Sequence, residues 1–204
     1  MGIRHMKIWK LNVDANNVAW LRSVPMRTHE DGLAFDGRSL LNGWKKLPLV
    51  QIDEEQNTLP LADAVCSDAC FLISEKAKQI IAEVVSDEVE FLPYDFCGIT
   101  YYLINPMTIL PCLNRAESKL LFSRNNYDRI LIVKEFCLIE SVIEGHQMFR
   151  MQDCPLKGPF VTDAVVESIR NAKLTGFAFE LVWEGHKQKE GTKIYADGVL
   201  RVEH

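Results

Sequence analysis

The groups able to do chemistry in this chain are carboxylates, thiols and imidazoles, and their spacing argues against a catalytic set. Asp53-Glu54-Glu55 and Asp87-Glu88 are its clustered acids. Paired carboxylates serve acid–base catalysis when their surroundings push their pKa values apart. These pairs stand in polar, turn-like stretches, where solvated charge is the ordinary explanation. Cys66 and Cys70 are four apart, so on a helix they would share a face, but no second Cys or His pair stands at zinc-site spacing. They read as two buried thiols. His29, His146, His186 and His204 fall in loops or at strand ends and read as solvated imidazoles. The chain has no phosphate-binding G-x-x-x-x-G-K-[ST] loop, no G-x-G-x-x-G, no H-E-x-x-H and no G-x-S-x-G elbow. The expectation is a protein without catalytic residues, bound metal or cofactor.

Composition narrows the class further. A chain of 204 residues with 48% hydrophobic and 25% charged side chains is an ordinary globular sequence, long enough for a sizeable core. Its net charge of -5 lacks the footprint of a nucleic-acid binder and favours a basic partner. No run approaches the roughly 18 apolar residues of a membrane helix, and MGIRHMKIWKL has no apolar secretory core. The cytoplasm is the expected compartment, with the six cysteines as reduced, mostly buried thiols. His5-Met6 reads as a cloning-site scar, so residues 1–5 are set aside. Residues 6–204 make one domain or two lobes, a β-rich 6–65 and an α+β 66–204.

Any site must be positioned by a few recognisable elements. The best formed is Phe160–Trp183, a strand, a capped helix, a turn and a second strand. Val165, Val166, Ile169 and Ala172 give its helix a buried stripe, with Asp163 as the capping residue, Gly176 in the turn and Phe177, Phe179 and Leu181 on one strand face. Phe71–Tyr94 echoes it, with Ser74 as cap and Ala77, Ile80, Ile81, Val84 and Val85 as the stripe. Two occurrences suggest pseudo-repeated halves. Met6–Val13, Leu47–Ile52, Val89–Leu92 (ended by Pro93), Ile99–Ile104, Lys119–Ser123 and Gln147–Gln152 read as strands, and Val18–Val24 as a strand or helical turn. Leu59–Cys70 is expected to hold a short helix, and the apolar runs Ile130–Val133 and Phe136–Ile143, separated by Lys134-Glu135, fit one bulged strand, two strands or a helix. The predicted class is α+β, a mixed or antiparallel sheet with helices on one face. Of the four tryptophans (9, 20, 44 and 183), most belong in the core, and an exposed one would suit a protein interface.

Taken in order, several stretches resemble immunity-protein family eleven of bacterial polymorphic toxin systems. They are MKIWKL, DGRSL with Trp44, FLIS with its helix and EFLP, YYLIN, LNRAES, MFRM, and the VTD helix leading to LTGFAFELVW. In LNRAES the family tends to begin with Asp, where this chain has Asn114. The shared positions are mostly apolar, Gly, Pro or caps, which suits fold determinants. The resemblance implies a cytoplasmic protein that binds a cognate toxin from a neighbouring bacterium and blocks it across roughly 1,600 Å². Asp53, Glu54, Glu55, Asp87 and Glu88 are the candidate contacts for a basic toxin. The alternatives are a small enzyme with a pocket between the two repeated units, or a subunit that only oligomerises.

Overall fold

The computed structural model describes residues 5–26, 35–52, 59–68, 71–123, 126–154, 158–185, 192–195 and 200–201, with the backbone alone for 126–128, 192–195 and 200–201. The described strands begin with β1 (Lys7–Val13), β2 (Trp20–Ser23), β3 (Leu49–Gln51), β4 (Ala64–Ser67) and β5 (Phe71–Ser74). Helix α1 (Glu75–Val85) leads to β6 (Val89–Phe96), β7 (Ile99–Pro106), β8 (Ile109–Leu110), β9 (Lys119–Ser123) and β10 (Asn126–Glu135). After α2 (Glu140–Ile143) come β11 (Met148–Met151), β12 (Phe160–Thr162), α3 (Asp163–Asn171), β13 (Phe177–Glu184), β14 (Thr192–Tyr195) and β15 (Leu200–Arg201). The result is a mixed α/β protein dominated by strands.

Those strands form two curled sheets and a separate ribbon. One sheet has seven strands in the order β15-β14-β13-β1-β12-β11-β8, antiparallel but for the β11–β8 pair. The other has six in the order β3-β2-β4-β5-β7-β6, antiparallel but for β2–β4. Its two ends meet, because Asp95 N donates to Leu47 O at 2.9 Å and Pro48 bridges to Asp95. This curl encloses Leu21, Leu49, Val65, Leu72, Leu92, Tyr101 and Leu103. Strands β9 and β10 make the ribbon, whose Leu120, Ile130 and Val133 pack with Ile8, Phe149, Phe160 and Trp183 of the seven-stranded sheet.

Local sequence accounts for both longer helices. In α1 the Ser74 hydroxyl accepts from Ala77 N at 3.1 Å, satisfying one of the orphan donors of the first turn, while Glu75 faces the positive dipole end. Ala77, Ile81 and Val85 recur every four residues and are buried. In α3, Val165, Val166 and Ile169 are buried, as their spacing predicts. Its N-cap is Thr162, which makes no capping bond, and Asp163 does not cap. The Asp163 carboxylate instead accepts from the Trp9 indole N–H at 2.7 Å, because β1 lies beside β12 and the buried indole needs an acceptor.

In each strand–helix–strand unit the two strands flank a third, antiparallel strand. β7 sits between β5 and β6, and β1 sits between β12 and β13. Residues of α1 and α3 share one core with Trp9, Leu11, Phe177 and Phe179 of one sheet and Phe71, Ile73 and Ile104 of the other. The short α2 belongs elsewhere, with Ile143 packed in the ribbon's core. Gly176 lies where the sheets approach, at φ +82°, and a Cβ there would stand 2.2 Å from Ala64 O.

Two further sequence expectations fail for physical reasons. The stretch expected as a short helix holds β4, whose four residues are all buried. An apolar run covered on both faces has no strand period to read. Pro93 does not end its strand, since β6 runs on to Phe96 as the last strand in the six-stranded order. On a border strand the missing N–H can face away from the ladder.

Candidate interaction surface

The described member of the acidic pairs that faces solvent is Asp87, on the turn between α1 and β6. Asp53, Glu54 and Glu55 lie outside the described residues; they follow Ile52 directly in the chain. Glu88 turns inward. Its carboxylate accepts from Gln147 N at 2.8 Å and Met148 N at 2.9 Å, and stands 2.8 Å from His146 Nδ1. Its own carbonyl accepts from Met107 N at 2.7 Å. Glu88 therefore ties the α1–β6 turn to the start of β11, and His146, read from sequence as solvated, is its partner. The sequence signal for such a tie is weak, because the groups are brought together only by the fold.

The DGRSL stretch is held by a partly buried acid of the same kind. The Glu90 carboxylate accepts from Leu40 N at 2.8 Å and from the fully buried Asn105 side-chain amide at 3.2 Å. Burial pushes the Glu90 pKa up, but hydrogen bonds from Ser39, Leu40, Asn105 and Leu41 outweigh it and hold the carboxyl below its ordinary value. Arg150, only 2% exposed, stands with its guanidinium 4.3 Å from the centre of the Phe35 ring. Trp44 donates to Pro93 O at 3.0 Å and meets Tyr94 edge-on. Phe35, Leu40 and Trp44 thereby pack against the core inside the curled sheet. In LNRAES, Asn114 Oδ1 accepts from Ala116 N at 3.2 Å, a task for which Asp would serve equally.

Cys66, Cys112 and Cys154 are buried, and burial pushes the Cys112 pKa up to about 12. Cys97 departs from the buried expectation and is exposed in the β6–β7 turn, while Cys70 lies outside the described residues. Among the described residues, no three His, Cys, Asp or Glu side chains gather as a metal site. An open cavity of about 360 Å³ beside the start of α3 is lined by Lys7, Glu140, His146, Asp163 and Glu167. The space between the two strand–helix–strand units is occupied by the apolar core they share.

The other unusual surface was not predicted as a site. The outer side of the six-stranded sheet is covered by α1 along β5, β6 and β7. On β2, β3 and the residues directly beyond their ends, the same side presents Trp20 opposite Ile52, Arg22 opposite Val50 and Val24 opposite Pro48. Trp20, Val24, Val50 and Ile52 are 40–44% exposed, and Arg22 is exposed among them. The Trp20 indole is fixed by donation to Ala15 O at 3.0 Å.

Residues 12–184 match the immunity protein family Imm11. The chain belongs to that family. The match spans both sheets, from within β1 to the end of β13, so the Imm11 assignment covers the surfaces described above. No curated protein matches the chain. Imm11 membership suggests a toxin-neutralising role without catalysis, and it implies a cognate toxin as partner. No helix among the described residues is long and apolar enough to cross a membrane.

Proposed function

We propose that this Imm11 protein binds a cognate polymorphic toxin in the cytoplasm, one to one, and neutralises it by covering or distorting its site. The observation that carries this reading is the family match over residues 12–184. The net charge of -5 supports a basic toxin, drawn in by complementary fields. Asp53, Glu54, Glu55 and Asp87 are the proposed steering acids. Glu88, with its oxygens engaged, acts by bracing the turn that presents Asp87. We also read the chain from residue 6 as one unit with duplicated halves, because one core draws on both strand–helix–strand units.

Co-expression with the toxin encoded beside its gene tests the reading: cells carrying both are expected to survive, and cells carrying the toxin alone to die. Death of both would sink it. Steering has its own test. Alanine at Asp53, Glu54, Glu55 and Asp87 together should slow association at low salt and flatten its salt dependence, with little change in dissociation. Unchanged association kinetics would remove the acids from the mechanism.

A further inference from the structure

We propose that the outer face of β2 and β3 is the toxin-docking surface, and that it takes an apolar or aromatic knob standing beside a carboxylate of the toxin. The inference rests on the toxin-neutralising reading and adds a place and a chemistry to it. An antiparallel strand pair with one side open to water ordinarily alternates apolar inside and polar outside. Here the inner positions Leu21 and Leu49 are buried as expected, yet the outer positions are Trp20, Val24, Val50 and Ile52 around a single Arg22. The same sheet hides its outer side beneath α1 further along, and no described helix packs in that way on β2 and β3.

The patch leaves on the order of 300 Å² of apolar side chain bare, a size at which surface patches on monomers are often functional. One side of a standard interface buries about 800 Å², so the patch would be the centre of such a contact, with a polar rim around it. Trp20 suits the anchor. It is the most exposed of the aromatic side chains described in the core and surface, and its indole is already held by Ala15 O, so little rotamer freedom remains to be lost on binding.

Arg22 decides what the occupant is. It lies in the middle of the face, and among the described residues it makes no ion pair or hydrogen bond through its side chain. A second copy docking about a two-fold axis through this face would bring Arg22 against its own equivalent while desolvating both. A different protein that sets a carboxylate beside its apolar knob meets both features at once, with a bidentate pair available to the guanidinium. The ribbon also exposes Leu121, Phe122, Leu131 and Ile132, but it carries no tryptophan to serve as the anchor.

The test measures affinity of the full chain for the purified toxin domain encoded beside its gene, together with protection of cells that express that domain. Trp20→Ala is expected to weaken binding about 30-fold or more and Arg22→Glu about tenfold, with Arg22→Lys between the parent and Arg22→Glu, since lysine keeps the charge and loses the bidentate geometry. Ile132→Ser on the ribbon is the comparison variant, expected to bind as the parent does. Circular dichroism melts check folding; should Trp20→Ala melt early, Arg22→Glu and Val50→Asp carry the result. If these variants bind as tightly as the parent while the parent protects cells, the surface is wrong and the toxin reading stands. A parent chain that neither binds nor protects overturns both. An Arg22→Glu loss matched by self-association of the parent at the same concentrations would replace the toxin with a second copy and overturn the proposal.

Discussion

At the scale of single residues, two partly buried carboxylates hold more of the structure together than the exposed Asp87 does. Glu88 accepts two backbone N–H groups and faces His146, so Glu88→Ala leaves those donors without a partner. The expected cost is about 2–3 kcal/mol, a fall in Tm of about 5–10 °C, with no change in the salt dependence of toxin association. A Tm within a degree of the parent's would show that water replaces the carboxylate without penalty. Glu90 predicts a pH effect. Its folded pKa is held below the ordinary 4.5, so its contribution to stability is present above that value and lost as pH falls through the folded one. Melts followed downward from pH 5 should decline more steeply for the parent chain than for Glu90→Gln; parallel declines would remove Glu90 from the acid response. Neither role could be read from the sequence. Glu88 sat beside Asp87 in a turn, and nothing local distinguishes an acid that points to solvent from one that meets a strand start nearly sixty residues away.

At the scale of elements, periodicity and capping were legible where one face alone is buried. The stripes of α1 and α3 and the Ser74 cap could be read from spacing, since a helix with one wet side must alternate at its own period. β4 was illegible for the complementary reason: all four of its residues are buried. The Asp163 cap failed through a competitor, the Trp9 indole, that only strand pairing brings within reach. Because α1 and α3 pack into one core, Ile169→Ala should destabilise by about 2–5 kcal/mol, read by urea unfolding, and the loss should melt both halves in a single transition. Two separated transitions would mean that the halves fold independently. The candidate surface had a faint signal in sequence. Trp20 and Val24, and Val50 and Ile52, are evenly spaced along their two segments, but which side of each strand faces water is set by the curl of the sheet.

At the scale of the molecule, the class was legible and the arrangement was not. A mixed α/β composition of strands and two helices follows from the patterns, while the meeting of β3 with β6 depends on contacts such as Asp95 with Leu47 that no local pattern encodes. The family resemblance succeeded because its motifs are fold-fixing residues: DGRSL is gripped by Glu90, and the turn before β13 needs the bare Gly176 against Ala64. Such residues report where the chain goes and leave its partner to the less constrained surface.

Strand β1 is made well before β12 and β13 but lies between them, with Trp9 across from Val161 on one side and Leu181 on the other. While the chain is being synthesised, this strand has no neighbour until the closing third has left the ribosome. Such a high contact order predicts slow folding and a nascent chain with apolar surface waiting in the open. Chains stopped before Phe177 are expected to be protease-sensitive and to give no protection, as pulse-chase proteolysis would reveal. Protection would then depend on finished molecules already in stock when the toxin arrives.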